Sequence, residues 1–394
     1  LVGRIFPALL SLLIALCTVP TAASAEALDD PVDLASARTT ALGGPHAAAT
    51  GGMTTLFYNP AGFAQAEPEM AVTELSVGLS GPVFTITGLV VQGVSGDVSA
   101  ILASDQIQDV LSGLYASLNL VGPLYFGYVG NGLGFGIFNT SDVVFRSPRS
   151  LSLEATARES VLLCGGYALR VPFPDSWGAS MDIGFLLKGF LRGETSVSTS
   201  ILELESLIAS IGPDTVMNEP FLLTTGIGVD AGIRVGYRDI IAVGVVGRDL
   251  YSPTLRNSYA TVSGFLDNTE SPTQTNARVP IDLSAGLLFT PGLGVFERFV
   301  SELTIMLDYN DILDFLTHPA TARNPVLHPG LGVELTLLEI LHLRGGFSQG
   351  LFSAGLGMDL TYFNLNASMY GTELSPEPGL RPVYNVLIGF EFRI

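Results

Sequence analysis

From about Met70 to Ile394 the chain alternates apolar and polar residues with a period of two. Ala71, Thr73, Leu75, Val77 and Leu79 alternate with Glu74, Ser76, Gly78 and Ser80. Between Leu223 and Tyr237, the residues Ile227, Val229, Ala231, Ile233 and Val235 alternate with glycines, Asp230 and Arg234. The last run sets Tyr384, Val386, Ile388, Phe390, Phe392 and Ile394 against Asn385, Gly389, Glu391 and Arg393. Side chains two apart share one face of a strand, so each run has one apolar and one polar face. Roughly fourteen to sixteen such runs are expected, depending on how the short ones near Leu114 to Asn139 are divided, and many last nine residues or more, the length a tilted strand needs to cross a hydrocarbon core. Tyr237, Tyr309, Tyr362 and Tyr384 fall near run ends, as interfacial aromatic girdles do.

Some stretches break the period. Val98 to Leu114 and Ile201 to Ile211 carry apolar residues at helical spacing and predict short helices in long outer loops. Arg256 to Ala277 and His318 to Pro325 are polar and predict further loops. The segment Ala37 to Ala64 is different again: rich in Ala, Gly and Thr, nearly uncharged, and ending in Leu56-Phe57-Tyr58-Asn59-Pro60-Ala61-Gly62-Phe63-Ala64. It has too little side-chain bulk to build its own core, yet its aromatics and low charge do not suit a disordered tail.

Composition sharpens this pattern. Charged residues are 14% of the 394, and 45 are Gly, while mean hydropathy is +0.45. Soluble domains carry about 25% charged residues. A soluble sandwich would also alternate, but this balance favours a transmembrane antiparallel β-barrel, an all-β fold whose closed wall satisfies its backbone without water. The first 25 residues read as a signal peptide. Arg4 gives the positive region, Ala8 to Val19 the apolar one, and Ala23-Ser24-Ala25 the small-residue cleavage site. The expected organisation is therefore a signal peptide at 1–25, a segment folded into the lumen at 26–66, and a barrel at 67–394. Cleavage would remove Cys17 and leave Cys164 without a disulfide partner.

The net charge of −19 argues against a nucleic-acid binder, and the single lysine, Lys188, against a basic membrane-surface patch. Gly346-Phe347-Ser348-Gln349-Gly350 matches a nucleophile-elbow pattern, but it joins two strand-like runs and predicts a hairpin turn. The glycines around 132–136 and 226–228 belong to strand faces or turns and not to a dinucleotide fingerprint. His46, His318, His328 and His342 are scattered without metal-ligand spacing, although His328 and His342 could meet across neighbouring strands. Glu74, Asp182, Asp230, Asp282, Asp308, Glu334 and Asp359 are expected to line a hydrated lumen with Arg158, Arg234 and Arg344. No catalysis, cofactor or metal is expected.

The Gly43-Gly44 turn, the run Ala47-Ala48-Ala49 and the tripeptide Asn59-Pro60-Ala61 resemble the N-terminal hatch of FadL-type outer-membrane transporters for long-chain fatty acids and other hydrophobic molecules. The resemblance implies a monomeric barrel of about fourteen strands, plugged by the hatch and embedded in outer-membrane lipid. It implies passive uptake of a long-chain fatty acid or similar apolar molecule. Gly43, Gly44, Phe57, Tyr58, Asn59, Pro60, Ala61 and Phe63 are the expected ligand-binding or hatch residues; Asn59, with Pro60 fixing the chain, would hold the hatch to the wall. The terminal Gly389-Phe390-Glu391-Phe392-Arg393-Ile394 resembles the strand read by the barrel-insertion machinery, with Ile394 where Phe is usual. A scaffold or secretion-accessory barrel and a general hydrophilic porin are the competing functions.

Overall fold

The computed structural model describes residues 26–27, 32, 34, 36–82, 114–149, 152–200, 216–319 and 321–394. The expected signal peptide and the helices expected at 98–114 and 201–211 lie essentially outside these residues. The described chain begins with a short strand β1 (Glu26–Ala27), helices α1 (Ala37–Ala41) and α2 (Thr55–Tyr58), and a 3-10 turn (Pro60–Ala64). The wall follows. Its first half is β2 (Glu69–Ser80), β3 (Tyr115–Gly130), β4 (Leu133–Arg149), β5 (Ser152–Val171), β6 (Ala179–Ser200) and β7 (Phe221–Tyr237). After β7 come β8 (Ile241–Tyr251), β9 (Pro253–Tyr259), helix α3 (Val262–Leu266), β10 (Thr273–Arg278), β11 (Asp282–Phe289) and β12 (Val300–Tyr309). Helix α4 (Asp314–Thr317) precedes β13 (Pro329–Leu337), β14 (Leu341–Ser348), β15 (Leu351–Leu360), β16 (Phe363–Glu373) and β17 (Pro382–Arg393).

Neighbours in sequence pair antiparallel, and β17 pairs with β2, from Asn385 opposite Ser80 to Arg393 opposite Ala71. That pairing closes the sheet. The pieces β8 and β9 form one wall strand broken at Ser252, and β10 and β11 form the next, broken at 279–281, so the closed wall has 14 strands. The two breaks lie side by side, bridged by Ser252 Oγ, which donates to Val279 O at 2.8 Å and accepts from Val279 N at 3.0 Å. The polar stretch after Arg256 is therefore not a plain loop: β9 and β10 pair with each other around α3. Polar residues extend the barrel there because both strands find backbone partners without an apolar face.

The outer face is apolar. Leu163 is 60% exposed and Leu187 58%, with Leu75, Phe185, Ile227, Val243, Leu307, Leu356 and Ile388 in the same situation around the wall. A water-facing surface would not carry a continuous band of this kind, whereas lipid-facing barrel strands require it. Gln349 and Gly350 both have positive φ, at 51° and 80°, and form the two-residue turn between β14 and β15; such turns match the strand twist. No helix follows Ser348, which rules out a nucleophile elbow. Asn131-Gly132 makes the same kind of turn between β3 and β4, with φ of 54° and 80°.

On this architecture, Leu187→Arg places a charge in the lipid-facing band and costs about 2–4 kcal/mol near the bilayer midplane. Urea unfolding in phospholipid vesicles measures the change. A value near zero would mean that this face meets water.

Candidate functional site

The lumen is filled from within by residues 36–66, and the contact is made by absent side chains. Gly43 has φ of +82°, and a Cβ there would lie 2.7–2.9 Å from backbone atoms of Leu331 and Phe347. The wall offers matching glycines. A Cβ at Gly134 would come within 2.7 Å of the Phe63 ring, and one at Gly332 within 2.6 Å of Leu42 O. Cβ atoms at Gly184, Gly232, Gly244 and Gly346 would overlap Pro60, the Asn59 amide, Ala47 O and the Leu42–Gly43 peptide. The glycines on the inward faces do not line open water at these positions. They form the seat of the hatch.

Polar contacts then fix the hatch in register. Glu334 on β13 holds Arg38 through Nη2 at 2.8 Å and Arg344 through Nε at 2.8 Å. Asp308 on β12 meets His46 Nδ1 at 2.6 Å and accepts the Ala47 N–H at 2.7 Å. Arg234 Nε donates to Ala48 O at 2.9 Å, Ser353 Oγ to Ala41 O at 2.9 Å, and Gln65 Nε2 to Asp182 Oδ2 at 2.7 Å. The inward carboxylates Asp182, Asp308 and Glu334 are therefore hatch anchors as much as lumen lining.

The residues singled out from the sequence are distributed as follows. Gly43 and Gly44 make the tight passage against β13 and β14. Asn59 is 1% exposed; its Nδ2 donates to Ala47 O at 2.6 Å and its Oδ1 accepts from Ala61 N at 3.0 Å. Its hydrogen bonds tie the hatch to itself, and it meets the wall, which it was expected to hold, by packing against Gly232. Pro60 and Ala61 run along Gly184, and Phe63 is fully buried against β4. Phe57 packs edge-on to Phe138 with centroids 5.1 Å apart. Tyr58 OH donates to Thr39 Oγ1 at 2.5 Å. Phe57 and Tyr58, with Gly43 and Gly44, also line a cavity; Asn59, Pro60, Ala61 and Phe63 do not.

That cavity, about 310 Å³, lies on the loop side of the hatch. Leu56, Phe57, Leu162, Leu186 and Leu327 supply its apolar lining, and charged residues from β6 to β11 and the 310–328 loop lie among them. On the opposite side of the hatch a larger space of about 560 Å³ is lined by carboxylates and arginines, among them Glu69, Glu334, Arg344, Asp359 and Arg393. The hatch separates an amphipathic chamber from a polar vestibule. Leu102 and Leu207, in the loop stretches expected to be helical, fall outside the described residues.

The residues 310–328 gather charge at the chamber mouth. Burial pushes the Asp311 carboxyl up to about 6, helped by the neighbouring Asp282 and Asp314 carboxylates and opposed by His328 and His318. Asp311, Asp314 and His318 each bring a potential ligand atom within 4.8 Å of the others. Asp314 is already engaged there, by His318 Nδ1 at 3.1 Å, His328 Nε2 at 3.4 Å and the Arg323 N–H at 2.7 Å. His328 and His342 do not meet, because they sit at opposite ends of the β13–β14 hairpin; His342 Nδ1 instead lies 3.1 Å from Thr336 Oγ1.

No family model matches the chain, and no curated protein matches it. Solved structures do. The CymD monoaromatic hydrocarbon channel aligns over 90% of this chain and 97% of its own, at 11% identity and a TM-score of 0.47. The Ralstonia pickettii toluene transporter TbuX aligns over 91% and 97%, at 11% identity and 0.48. A Pseudomonas aeruginosa FadL homologue aligns over 94% and 99%, at 12% identity and 0.43. These alignments run along most of the chain's length. At this distance the likeness is one of architecture.

Two outcomes are expected of the site itself. Glu334→Gln leaves the buried Arg344 and its neighbour Arg38 without their shared carboxylate, a change worth about 3–5 kcal/mol in buried pairs. Amide exchange across residues 37–66 should quicken while the strand spectrum is kept; unchanged exchange would show that the pair does not hold the hatch. The Asp311 carboxyl should titrate near pH 6, followed by NMR, and move down in Asp282→Asn as one repelling charge goes. Because its native value is raised, Asp311 favours the folded state at low pH and loses that contribution as pH rises through about 6.

Proposed function

We propose that the protein is an outer-membrane channel for passive uptake of small hydrophobic molecules, with long-chain fatty acids and monoaromatic compounds as the two classes to be told apart. The observation that carries this reading is the 310 Å³ chamber, half apolar, standing on the hatch at the loop-bearing end of a lipid-embedded barrel. Ligand sites of this type are concave and mainly apolar, with a few polar groups that fix orientation. Phe57 and Tyr58 place the hatch itself in the chamber wall, so that occupancy and hatch position are coupled. Nothing in the chamber resembles a nucleophile with its base: burial and the surrounding apolar side chains leave the Cys164 thiol inert. Export through the leader and insertion by the barrel-insertion machinery complete the proposal.

A hydrophilic porin is disfavoured by the hatch, which divides the lumen where a porin needs a continuous aqueous path. A secretion scaffold would need no chamber.

Vesicles carrying the refolded protein should accumulate a labelled apolar compound faster than protein-free vesicles, without stable ion conductance. Leu162→Trp, which adds bulk to the apolar lining of the chamber, should slow that uptake, and Asn59→Ala should alter it by loosening the hatch. Uptake no faster than in bare vesicles sinks the channel reading, and steady conductance points to the porin.

A further inference from the structure

The polar lining of the chamber carries a bias. Among the described residues three cations face the chamber, and each is already engaged. Lys188 Nζ lies 2.9 Å from both Asp230 Oδ1 and Asp249 Oδ1. Arg248 is paired with Asp282 and also donates from Nη2 to Ser284 Oγ at 3.0 Å. Arg323 Nη2 donates to Glu373 O at 2.7 Å and to Gln349 Oε1 at 3.4 Å.

Among the described residues the acceptors are in excess. Four carboxylates, Asp230, Asp249, Asp282 and Asp311, face the same space. Among the described contacts the Asp311 carboxylate receives no hydrogen bond. Beside it, Asn310 Oδ1 is buried and has no hydrogen-bond partner. A buried acceptor without a donor is unusual, because leaving it unmade forfeits the full desolvation cost of the group. Asn310 Oδ1 is sealed within the protein, so the unused acceptor that the chamber lining presents is the Asp311 carboxylate, in a lining that also holds Leu56, Phe57, Leu162, Leu186 and Leu327.

We infer that the chamber takes an apolar molecule headed by a hydrogen-bond donor, a hydroxyl or an ammonium group, in preference to one headed by a carboxylate. Such a head supplies the donor that the Asp311 carboxylate lacks. A carboxylate brings a fifth negative group to a site whose cations are committed elsewhere, and like charges in a partly desolvated chamber repel. The inference rests on the channel reading and narrows it: long-chain fatty acids at neutral pH are the disfavoured class, and alcohols, phenols and amines on an apolar body are the favoured one.

Four probes with one ring isolate the head group: toluene, benzyl alcohol, benzylamine and benzoate. Their binding to the full chain in lipid nanodiscs at neutral pH, corrected for empty discs, is read by ligand-observed NMR. Benzyl alcohol and benzylamine should each bind about tenfold more tightly than benzoate, the scale of one satisfied buried hydrogen bond. Asp311→Leu should lower the ratio of benzyl alcohol to toluene affinity by a similar factor. The near-isosteric Asp311→Asn should weaken benzylamine and strengthen benzoate. Benzoate binding as tightly as benzyl alcohol, or ratios unmoved in both variants, overturns the inference while toluene binding leaves the channel reading standing. If none of the four binds, toluene included, the channel reading falls and the inference with it.

Discussion

Hydrocarbon offers no water to an unpaired peptide group, and the rest of the structure follows from that constraint. A sheet can satisfy it only by having no edge. The wall achieves this where β17 meets β2, and Met70 and Ile394 exchange backbone hydrogen bonds at 3.1 and 2.8 Å beside the join. Closure fixes a cylinder, and a cylinder of 14 strands encloses more space than its own inward side chains fill. Something must occupy the remainder or leave it to water. Here a segment of the same chain occupies it.

The occupant is held by two kinds of contact that depend on each other. Glycine on the wall lets the two backbones approach closely enough for short polar contacts, and those contacts set which glycine faces which part of the hatch. Asp308 reaches His46 and Ala47 N–H because Gly244, two strands away, leaves room for Ala47 O. Glu334 reaches Arg38 because Gly332, on the same face, admits Leu42. The chamber above is a remainder of this packing: its floor is hatch, its sides are wall, and its charges come from β6, β7, β8, β11 and the 310–328 loop.

Much of the wall was legible in the sequence, because a period of two assigns faces residue by residue and the lipid side tolerates only apolar groups. The hatch was legible as an exception, through small residues and Asn59-Pro60-Ala61. What the period could not convey was the meaning of inward glycines and charges, since a wet lumen and a packed plug both avoid bulky apolar groups. The pairs two residues apart held the information: Asp182 with Gly184, Gly232 with Arg234, Gly332 with Glu334, Arg344 with Gly346. Each sets an anchor beside a space on one face. Arg38 and His46 were missed as anchors because their partners lie some 260 to 300 positions along the chain. The β9–β10 extension was missed because it is polar, and polarity reports loop only when no neighbouring strand is available.

The hatch also touches the wall on two sides at once. Helix α1 rests on β14 to β16, and the 3-10 turn after Asn59 rests on β4 to β7, nearly across the cylinder. A hollow tube of hydrogen-bonded strands is soft toward flattening, because its circumference is unchanged when its cross-section becomes an ellipse. A strut across the diameter removes that freedom. The segment therefore acts as a brace as well as a stopper, and the membrane's lateral pressure on the barrel is carried in part by peptide planes pressed against glycine.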